Sequence, residues 1–388
     1  MTASVLRLGY VPLIDAVPLI VAEALGFASE EGLELQLTAA PSWSALRDML
    51  AGGLVDAAQM LSPVPVAQHL GLGDAARFEA LSVLSINGDV IGVSGDLAAR
   101  MRAAGFGFGF ADAAAAGRAL LAAAPGGLRI GVPFPFSMHT ELVRYWLQGF
   151  DLALEIRTVP PPRMAEALAA GEIDAFCVGE PHGSVAVERG VGVLVLPGSA
   201  VWAFSPEKVL ATRVGWAEAQ PELAGRLMRT VWRAGRWLGQ VENRSITSEL
   251  LAAPGRLAVP AEVIERALTG RMVISPDGEE RRSDGMIEFF SGAATFPWRS
   301  QAAWIGMGPA GRHGLEPGAA VAQARAVFRS DLYRLHLREA GADLPGASEK
   351  LEGSLTHPTA VASERGRMIL PVNRFFDARI FDPAAPLR

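Results

Sequence analysis

The sequence has few of the residues that metal, redox and nucleic-acid sites commonly use. Cys177 is the only cysteine among 388 residues, so a disulfide framework and a cysteine-based zinc or iron–sulfur site are both excluded. The six histidines show no His-x-x-x-His or His-Glu-x-x-His spacing, which argues against a zincin-type metal site. The net charge is −6, and we therefore expect no direct binding to nucleic acid.

Long apolar runs are also missing, although half of the residues are apolar. No stretch of about 18 uninterrupted apolar residues is present, so the sequence predicts a folded protein that does not cross a membrane. A predicted strand at 5–10 follows the first four residues directly, with no basic and apolar signal-type segment before it. On this ground we expect a cytoplasmic protein.

Strand and helix patterns alternate in two successive groups. The predicted strands of these groups, each separated from the next by a helix, are 5–10, 33–37, 55–60, 128–132, 154–159 and 173–178. This order predicts parallel strands with helices on both faces of a sheet. The runs 50–57 and 168–175 each read as a helix end, a glycine and a strand that opens with Asp-Ala, which favours a duplicated, two-lobed protein.

Two strand-rich stretches, 81–93 and 191–202, link the two groups. We therefore predict an α/β protein with two lobes joined by a double crossover hinge. The first lobe is assigned residues 1–93 and 203–388, and the second lobe residues 94–202. Residues 94–127, rich in Ala and Gly, are predicted to be partly a flexible surface insert.

The motifs of common enzyme classes are absent. The sequence has neither a Gly-x-Ser-x-Gly elbow nor a phosphate-binding P-loop. The glycine-rich run 105–109 lacks the spacing of a dinucleotide-binding loop and is interpreted as a surface turn. We expect a binding protein and not an enzyme.

Polar and aromatic residues stand instead where predicted strands end, which is where open α/β sheets bind ligands. The candidates are Trp43, Gln59, His139, Gly179 and Lys208. Their side chains supply hydrogen-bond donors and one firm positive charge, a combination that suits a small oxyanion. Structural roles remain open for each side chain: a core aromatic, a strand amide, a helix-end imidazole and a surface ammonium. Lys208 is one of only two lysines, whereas the other 33 basic residues are arginines.

Several short runs, in this order and spacing, resemble a known family. They are 8–16, 41–48, 62–65, 134–139, 144–146, 179–181, 206–208 and 373–383. The resemblance is to the NrtA-like, nitrate- and bicarbonate-binding branch of the ABC-transporter solute-binding proteins. Within this branch the sequence most resembles the NasS-type cytoplasmic nitrate/nitrite sensors.

The resemblance implies a bilobal type II periplasmic-binding-protein fold with one oxyanion between the lobes. It assigns nitrate contacts to Trp43, Gln59, Gly179 and Lys208. The family's histidine aligns with Val132 in the transporter branch, whereas the sensor branch offers His139. His182 departs from the tryptophan expected after Gly-Glu-Pro. Bicarbonate binders add calcium, but no convincing carboxylate cluster stands out here, so we expect no metal and no cofactor.

The same resemblance implies a partner, a NasT-like RNA-binding antitermination regulator, which the sensor would release when nitrate or nitrite binds. One alternative is a transport receptor that works with a membrane permease. A sensor for another small ligand, such as a sulfonate, is a further alternative. An enzyme of thiamine pyrimidine synthesis on the same fold is disfavoured because Cys177 is the lone cysteine.

Overall fold

The strands of the protein fall into two principal sheets and two small hairpin-like pairs. A computed structural model describes residues 3–73 and 76–385. Its strands are β1 (Ser4–Tyr10), β2 (Leu33–Ala39), β3 (Ala57–Leu61), β4 (Phe78–Asn87), β5 (Asp89–Ser94), β6 (Leu128–Val132), β7 (Leu154–Thr158), β8 (Ala175–Gly179), β9 (Gly192–Pro197), β10 (Pro206–Arg213), β11 (Arg271–Val273), β12 (Glu280–Arg282), β13 (Ile287–Glu288), β14 (Thr359–Ala360) and β15 (Ile369–Leu370).

Helices separate these strands, and in the part of the chain that the structure describes seven of them follow β10 in the C-terminal half. They are α1 (Val17–Ala24), α2 (Phe27–Glu30), α3 (Trp43–Ala51), α4 (Pro63–His69), α5 (Gly95–Ala103), α6 (Ala113–Ala123), α7 (Met138–Leu147), α8 (Met164–Ala169), α9 (His182–Glu188), α10 (Trp216–Ala219), α11 (Pro221–Leu238), α12 (Arg244–Ala252), α13 (Ala261–Thr269), α14 (Arg299–Arg312), α15 (Pro317–Val327) and α16 (Ser330–Leu337). Within the described residues, no helix combines the length and apolar character that a membrane span requires.

Each sheet is the core of one lobe. The first has the order β13-β4-β10-β3-β1-β2, and the second has the order β7-β6-β8-β5-β9. The strands of the β-α-β units pair in parallel, as predicted, for example β1 with β2 and β6 with β7. The linking strands run the other way: β10 is antiparallel to β3 and β4, and β5 is antiparallel to β8 and β9.

The chain passes between the sheets twice. The first passage is at Gly88, between β4 and β5, and the second lies between β9 and β10. Strand β5 thus belongs to the second sheet, whereas the sequence prediction placed the change of lobe after residue 93. Asn87 ties the two passages together, because its amide donates to the Ala203 carbonyl at 3.0 Å and its Oδ1 accepts from the Ser205 N–H at 3.1 Å.

The predicted flexible insert at 94–127 is wrong. This segment forms α5 and α6, and the turn between them buries Phe108 and Phe110 in the core. A small residue is required at one point of α6, because Gly117 lies against the Phe150 ring, where a Cβ atom would clash. A segment rich in Ala and Gly, which is typical of flexible surface regions, therefore forms two packed helices here.

Candidate functional site

Lys208 lies in β10 at the centre of the molecule, and its side chain is completely buried. Its ammonium forms an ion pair with Asp15 Oδ2 at 2.8 Å and donates to Glu207 Oε1 at 2.7 Å. Neighbouring residues of a regular strand point to opposite faces, so an ion pair between positions 207 and 208 is unexpected. The register of β10 against β4 is irregular on both sides of Lys208, and this bulge brings the two side chains together.

Gln59, in β3, fixes the carboxylate that faces this lysine. Its amide nitrogen donates to Asp15 Oδ1, while its Oε1 accepts from the Val11 N–H at 3.0 Å. Asp15 lies in a short 3-10 turn before α1, and its two oxygens serve Gln59 and Lys208.

Trp43 is the first residue of α3, where Ser42 caps the helix by accepting the Ala45 N–H at 3.2 Å. The cap fixes the start of the helix and with it the position of the indole. The Lys208 Nζ atom lies 5.4 Å from the centre of the Trp43 ring, within the range of a cation–π interaction. The indole Nε1 is buried and has no hydrogen-bond partner among residues 3–73 and 76–385.

His139 reaches the same place from the second lobe. It follows Ser137, which caps α7 by accepting the Thr140 N–H at 3.2 Å. The imidazole is buried, and its Nδ1 lies 3.3 Å from Glu207 Oε1 without hydrogen-bond alignment. Neither ring nitrogen bonds to any described residue. Burial, reinforced by the Lys208 charge, holds the pKa of His139 well below its usual value, so the ring is neutral.

Gly179, the last residue of β8, lies beside Asp15 and His139. A Cβ atom added there would lie 3.6 Å from Asp15 Oδ2 and 3.8 Å from His139 Nε2. The next residue connects the lobes, because the Ile14 N–H donates to the Glu180 carbonyl at 3.1 Å. The structure thus brings together all five predicted residues, which we call the interlobe cleft: Trp43, Gln59 and Lys208 from the first lobe and His139 and Gly179 from the second.

The amino-acid sequence matches a known protein family. The sequence model of the NMT1-like family matches residues 2–252. The chain belongs to the NMT1-like family. The nitrate/nitrite binding protein NrtA of a Nostoc species is 28% identical over 98% of this chain and 83% of its own length. The nitrate import ATP-binding protein NrtC of a Synechocystis strain is 31% identical over 77% of this chain, but the match spans only 45% of that protein.

A solved structure agrees with the fold. The periplasmic nitrate-binding protein NrtA from Synechocystis PCC 6803 superimposes with a TM-score of 0.80 at 24% identity, covering 98% of this chain and 96% of that one. The predicted bilobal α/β fold is confirmed, and so is the resemblance to the NrtA-like branch of solute-binding proteins. These relatives also support the prediction that this NMT1-like protein is a solute-binding protein rather than an enzyme.

The cleft of this NMT1-like protein is richer in acid than the sequence indicated. Three buried carboxyl groups act on Lys208, namely Asp15, Asp89 and Glu207. Burial raises the pKa of all three, and that of Glu207 reaches about 8. Burial alone would lower the pKa of Lys208, but the facing carboxylates outweigh that effect and raise it, so the ammonium stays charged.

Sequence reasoning identified the donors of the cleft and missed its acids. Glu207 faces Lys208 only because of the bulge in β10, and Asp89 lies near it only because the chain changes sheets at Gly88, so the sequence alone indicated neither residue as part of the cleft. Asp89 accepts from the Cys177 thiol at 3.4 Å, which gives the lone cysteine a structural partner. In the described part of the chain no group of three or more His, Cys, Asp or Glu side chains is arranged to hold a metal ion.

The two remaining histidine questions concern Val132 and His182. Val132 ends β6 and is buried, and as an aliphatic residue it offers no hydrogen bond. His139 is thus the histidine that the structure places in the cleft. His182 is the first residue of α9, three positions after Gly179, and burial lowers its pKa to about 4. An uncharged imidazole therefore stands where the resemblance leads us to expect an indole.

Proposed function

We propose that the protein binds nitrate or nitrite in the interlobe cleft and acts as a cytoplasmic sensor that controls a NasT-like RNA-binding antitermination regulator. One observation carries the ligand assignment. The Trp43 and His139 rings, one from each lobe, are buried beside the Lys208 ammonium, and their nitrogens lack partners within the described ranges. Buried donors without partners cost about 1–3 kcal/mol each, and an oxyanion would satisfy them.

Each residue has a distinct part in this proposal. Lys208 supplies the charge, and the indole and imidazole N–H groups supply directional hydrogen bonds to the oxygens of a planar anion. Gln59 is a positioning residue, because it holds the Asp15 carboxylate against Lys208. Gly179 leaves room, since a side chain there would enter the space beside His139.

Ligand binding is coupled to lobe closure in this proposal, because the anion would bridge donors of both lobes. It then binds the closed form better than the open form and shifts the equilibrium by that difference. A shift from 1:99 to 99:1 needs about 5.5 kcal/mol. Charge-assisted hydrogen bonds contribute about 1.5–3 kcal/mol each, so two strong ones or about four weak ones supply that difference. A regulator that prefers the open form would be released by linkage.

The second candidate is a substrate-binding protein for an ABC transporter. It is favoured by the relatives, which are named as nitrate/nitrite binding and nitrate import proteins. The sensor reading is supported by the resemblance to the NasS-type runs and by the net charge of −6, which complements a basic RNA-binding partner. Both candidates use the same cleft, so the ligand and the partner need separate tests.

Calorimetry tests the ligand. We expect nitrate or nitrite to bind the wild-type protein, and Lys208→Ala to abolish binding. Because that substitution leaves Asp15 and Glu207 buried without their cation, Trp43→Phe is the second variant. It removes one donor, keeps an aromatic ring, and should weaken binding at least fivefold, a loss of about 1 kcal/mol. Trp298→Phe is the matched control, since that buried indole lies 5.3 Å from the other lysine, Lys350.

Co-purification tests the partner. A NasT-like regulator should copurify with the nitrate-free protein and be released by nitrate, and the Lys208→Ala protein should retain it in the presence of nitrate. Recovery of the mature protein from the periplasm, with no regulator bound, would instead support the transport receptor. Nitrate binding that is equal in the Trp43→Phe and wild-type proteins would contradict the cleft assignment whichever partner is found.

A further inference from the structure

A second concave site lies at the side of the molecule, between the lobes. We call it the side groove. One wall is formed by α7 and residues 147–154 of the second lobe, and the other by α14 and the C-terminal segment 375–381. Its volume of about 690 Å³ is typical of sites for small organic molecules. None of the five cleft residues lines it.

The base of the side groove is aromatic. The Trp304 and Phe375 rings are stacked with their centres 5.6 Å apart, and the Tyr145 ring meets Trp304 edge-on, also at 5.6 Å. At the rim two large apolar side chains are exposed, Met307 by 37% and Ile380 by 59%. Exposed apolar groups around a concave aromatic surface indicate a surface that binds an apolar group.

The walls also carry arginines, and one of them is uncommitted. Arg312 forms a two-pronged ion pair with Glu141 across the lobes, and Arg379 pairs with Asp377 at 3.3 Å. Arg144 is exposed on α7, and its guanidinium makes no hydrogen bond or ion pair with the residues that the structure describes. An uncommitted guanidinium beside an apolar base matches an anionic head attached to an apolar body.

We propose that the side groove is a second binding site, which takes a small amphipathic anion. The apolar body lies over Trp304 and Phe375, and the carboxylate or sulfonate pairs with Arg144. The concave shape and the volume favour a small molecule over the flat face of a partner protein. Because the two walls belong to different lobes, the occupant contacts both lobes at once.

The probe for this site is 8-anilinonaphthalene-1-sulfonate, an aromatic sulfonate whose fluorescence rises in apolar surroundings. We expect binding of one molecule per chain, at least tenfold weaker binding by Arg144→Gln, and loss of binding in Gly311→Trp. Gly311 lines the groove with open space at its Cβ position, so the indole fills the groove without a clash. The matched controls, Gly311→Ala and Arg118→Gln at an exposed position of α6, should bind as the wild type does.

Two competitions complete the test. Decanoate should displace the probe and 1-decanol should not, because only decanoate carries the anionic head. The proposal is overturned if Arg144→Gln and Gly311→Trp bind the probe as tightly as the controls do. Near-ultraviolet circular dichroism of each variant verifies that the fold is retained.

Discussion

The acids of the interlobe cleft make nitrate binding depend on pH. Glu207 faces the Lys208 ammonium and the neutral His139 ring, and it senses the charges of Asp15 and Asp89. Burial, aided by Asp89 and Asp15 and opposed by Lys208, raises its pKa to about 8. The neighbouring ammonium, imidazole and thiol keep their charge around that pH, because the pKa of Lys208 is raised, that of His139 is far below 6.5 and that of the Cys177 thiol is well above 9.0.

The sign follows from charge. An anion beside Glu207 favours the protonated, neutral carboxyl group, so the complex holds a proton that the free protein loses as the pH rises through about 8. If only the protonated form binds, the apparent Kd is the intrinsic Kd multiplied by 1 + 10^(pH − pKa). It stays near the intrinsic value at pH 7, doubles at pH 8 and rises about elevenfold at pH 9, a change of roughly 1.4 kcal/mol in binding free energy.

Isothermal titration calorimetry of nitrate between pH 6.5 and 9.5, in buffers of different ionisation enthalpy, measures both the affinity and the proton uptake. Glu207→Gln keeps the size and neutrality of the protonated acid, so its affinity should be flat across this range and exceed that of the wild type at pH 9. Asp89→Asn removes a like charge and should move the fall in affinity to lower pH. A wild-type affinity that is constant to pH 9.5, or an unchanged slope in Glu207→Gln, would refute the reasoning.

Three further predictions concern stability, each measured by chemical denaturation. Burial raises the pKa of Glu180 to about 7, so the folded state holds a proton that the unfolded chain loses near pH 4.5. Through this group the free energy of unfolding should fall by about 3 kcal/mol between pH 4.5 and 7. Glu180→Gln should abolish this fall, and a pH profile identical to that of the wild type would refute the reasoning. Gly308→Ala places a Cβ atom against the Glu141 carboxylate and should lower the free energy of unfolding by about 1–3 kcal/mol. Gly311→Ala, on the same helix but facing open space, should raise it by about 0.5–1 kcal/mol. Equal effects of the two substitutions would contradict this packing. Asn87→Ala removes the side-chain hydrogen bonds that join the two chain passages, and it places alanine at a φ of 58°, which asparagine tolerates better. The free energy of unfolding should fall by about 2–4 kcal/mol. A fall below 1 kcal/mol would be inconsistent with that role.

Local rules explain why the donors of the cleft could be predicted. Ser42 and Ser137 are helix caps, and each fixes the helix start that carries a candidate ring, Trp43 or His139. The carboxyl ends of parallel strands lie at one edge of a sheet, so residues far apart in sequence meet there. These regularities depend on short stretches of chain and are visible in the sequence.

The acids could not be predicted by the same rules. The bulge in β10 reverses the side-chain alternation on which a strand pattern depends, and so it turns Glu207 toward Lys208. Asp89 enters the cleft only because the chain changes sheets at Gly88. The antiparallel orientation of β5 and β10 arises from the two passages between lobes, a property of the whole fold that no local pattern contains.

The two lysines of the chain show how a buried cation that supports the fold differs from one that forms a site. Lys350 also lies near an indole, Trp298, and pairs with Glu352, whose oxygens further accept from Ser300 and Asn373. That carboxylate is fully satisfied by the protein itself.

Beside Lys208 the polar groups are incompletely satisfied. The Glu207 Oε2 atom, the Trp43 Nε1 and both nitrogens of His139 are buried with no partner in 3–73 or 76–385. The neutral His139 ring has one N–H and one bare nitrogen, so two donors and two acceptors are unmet next to a fixed charge, and each destabilises the empty arrangement by about 1–3 kcal/mol. An oxyanion can accept from the N–H groups of the two rings, and a proton on Glu207 removes the negative charge that would repel the anion. These atoms thus account for a site that takes up an anion and a proton together. Beside Lys350 the Trp298 Nε1 atom also lacks a partner among the described residues, but the Glu352 carboxylate is fully paired, so that cluster has no acid poised to take up a proton.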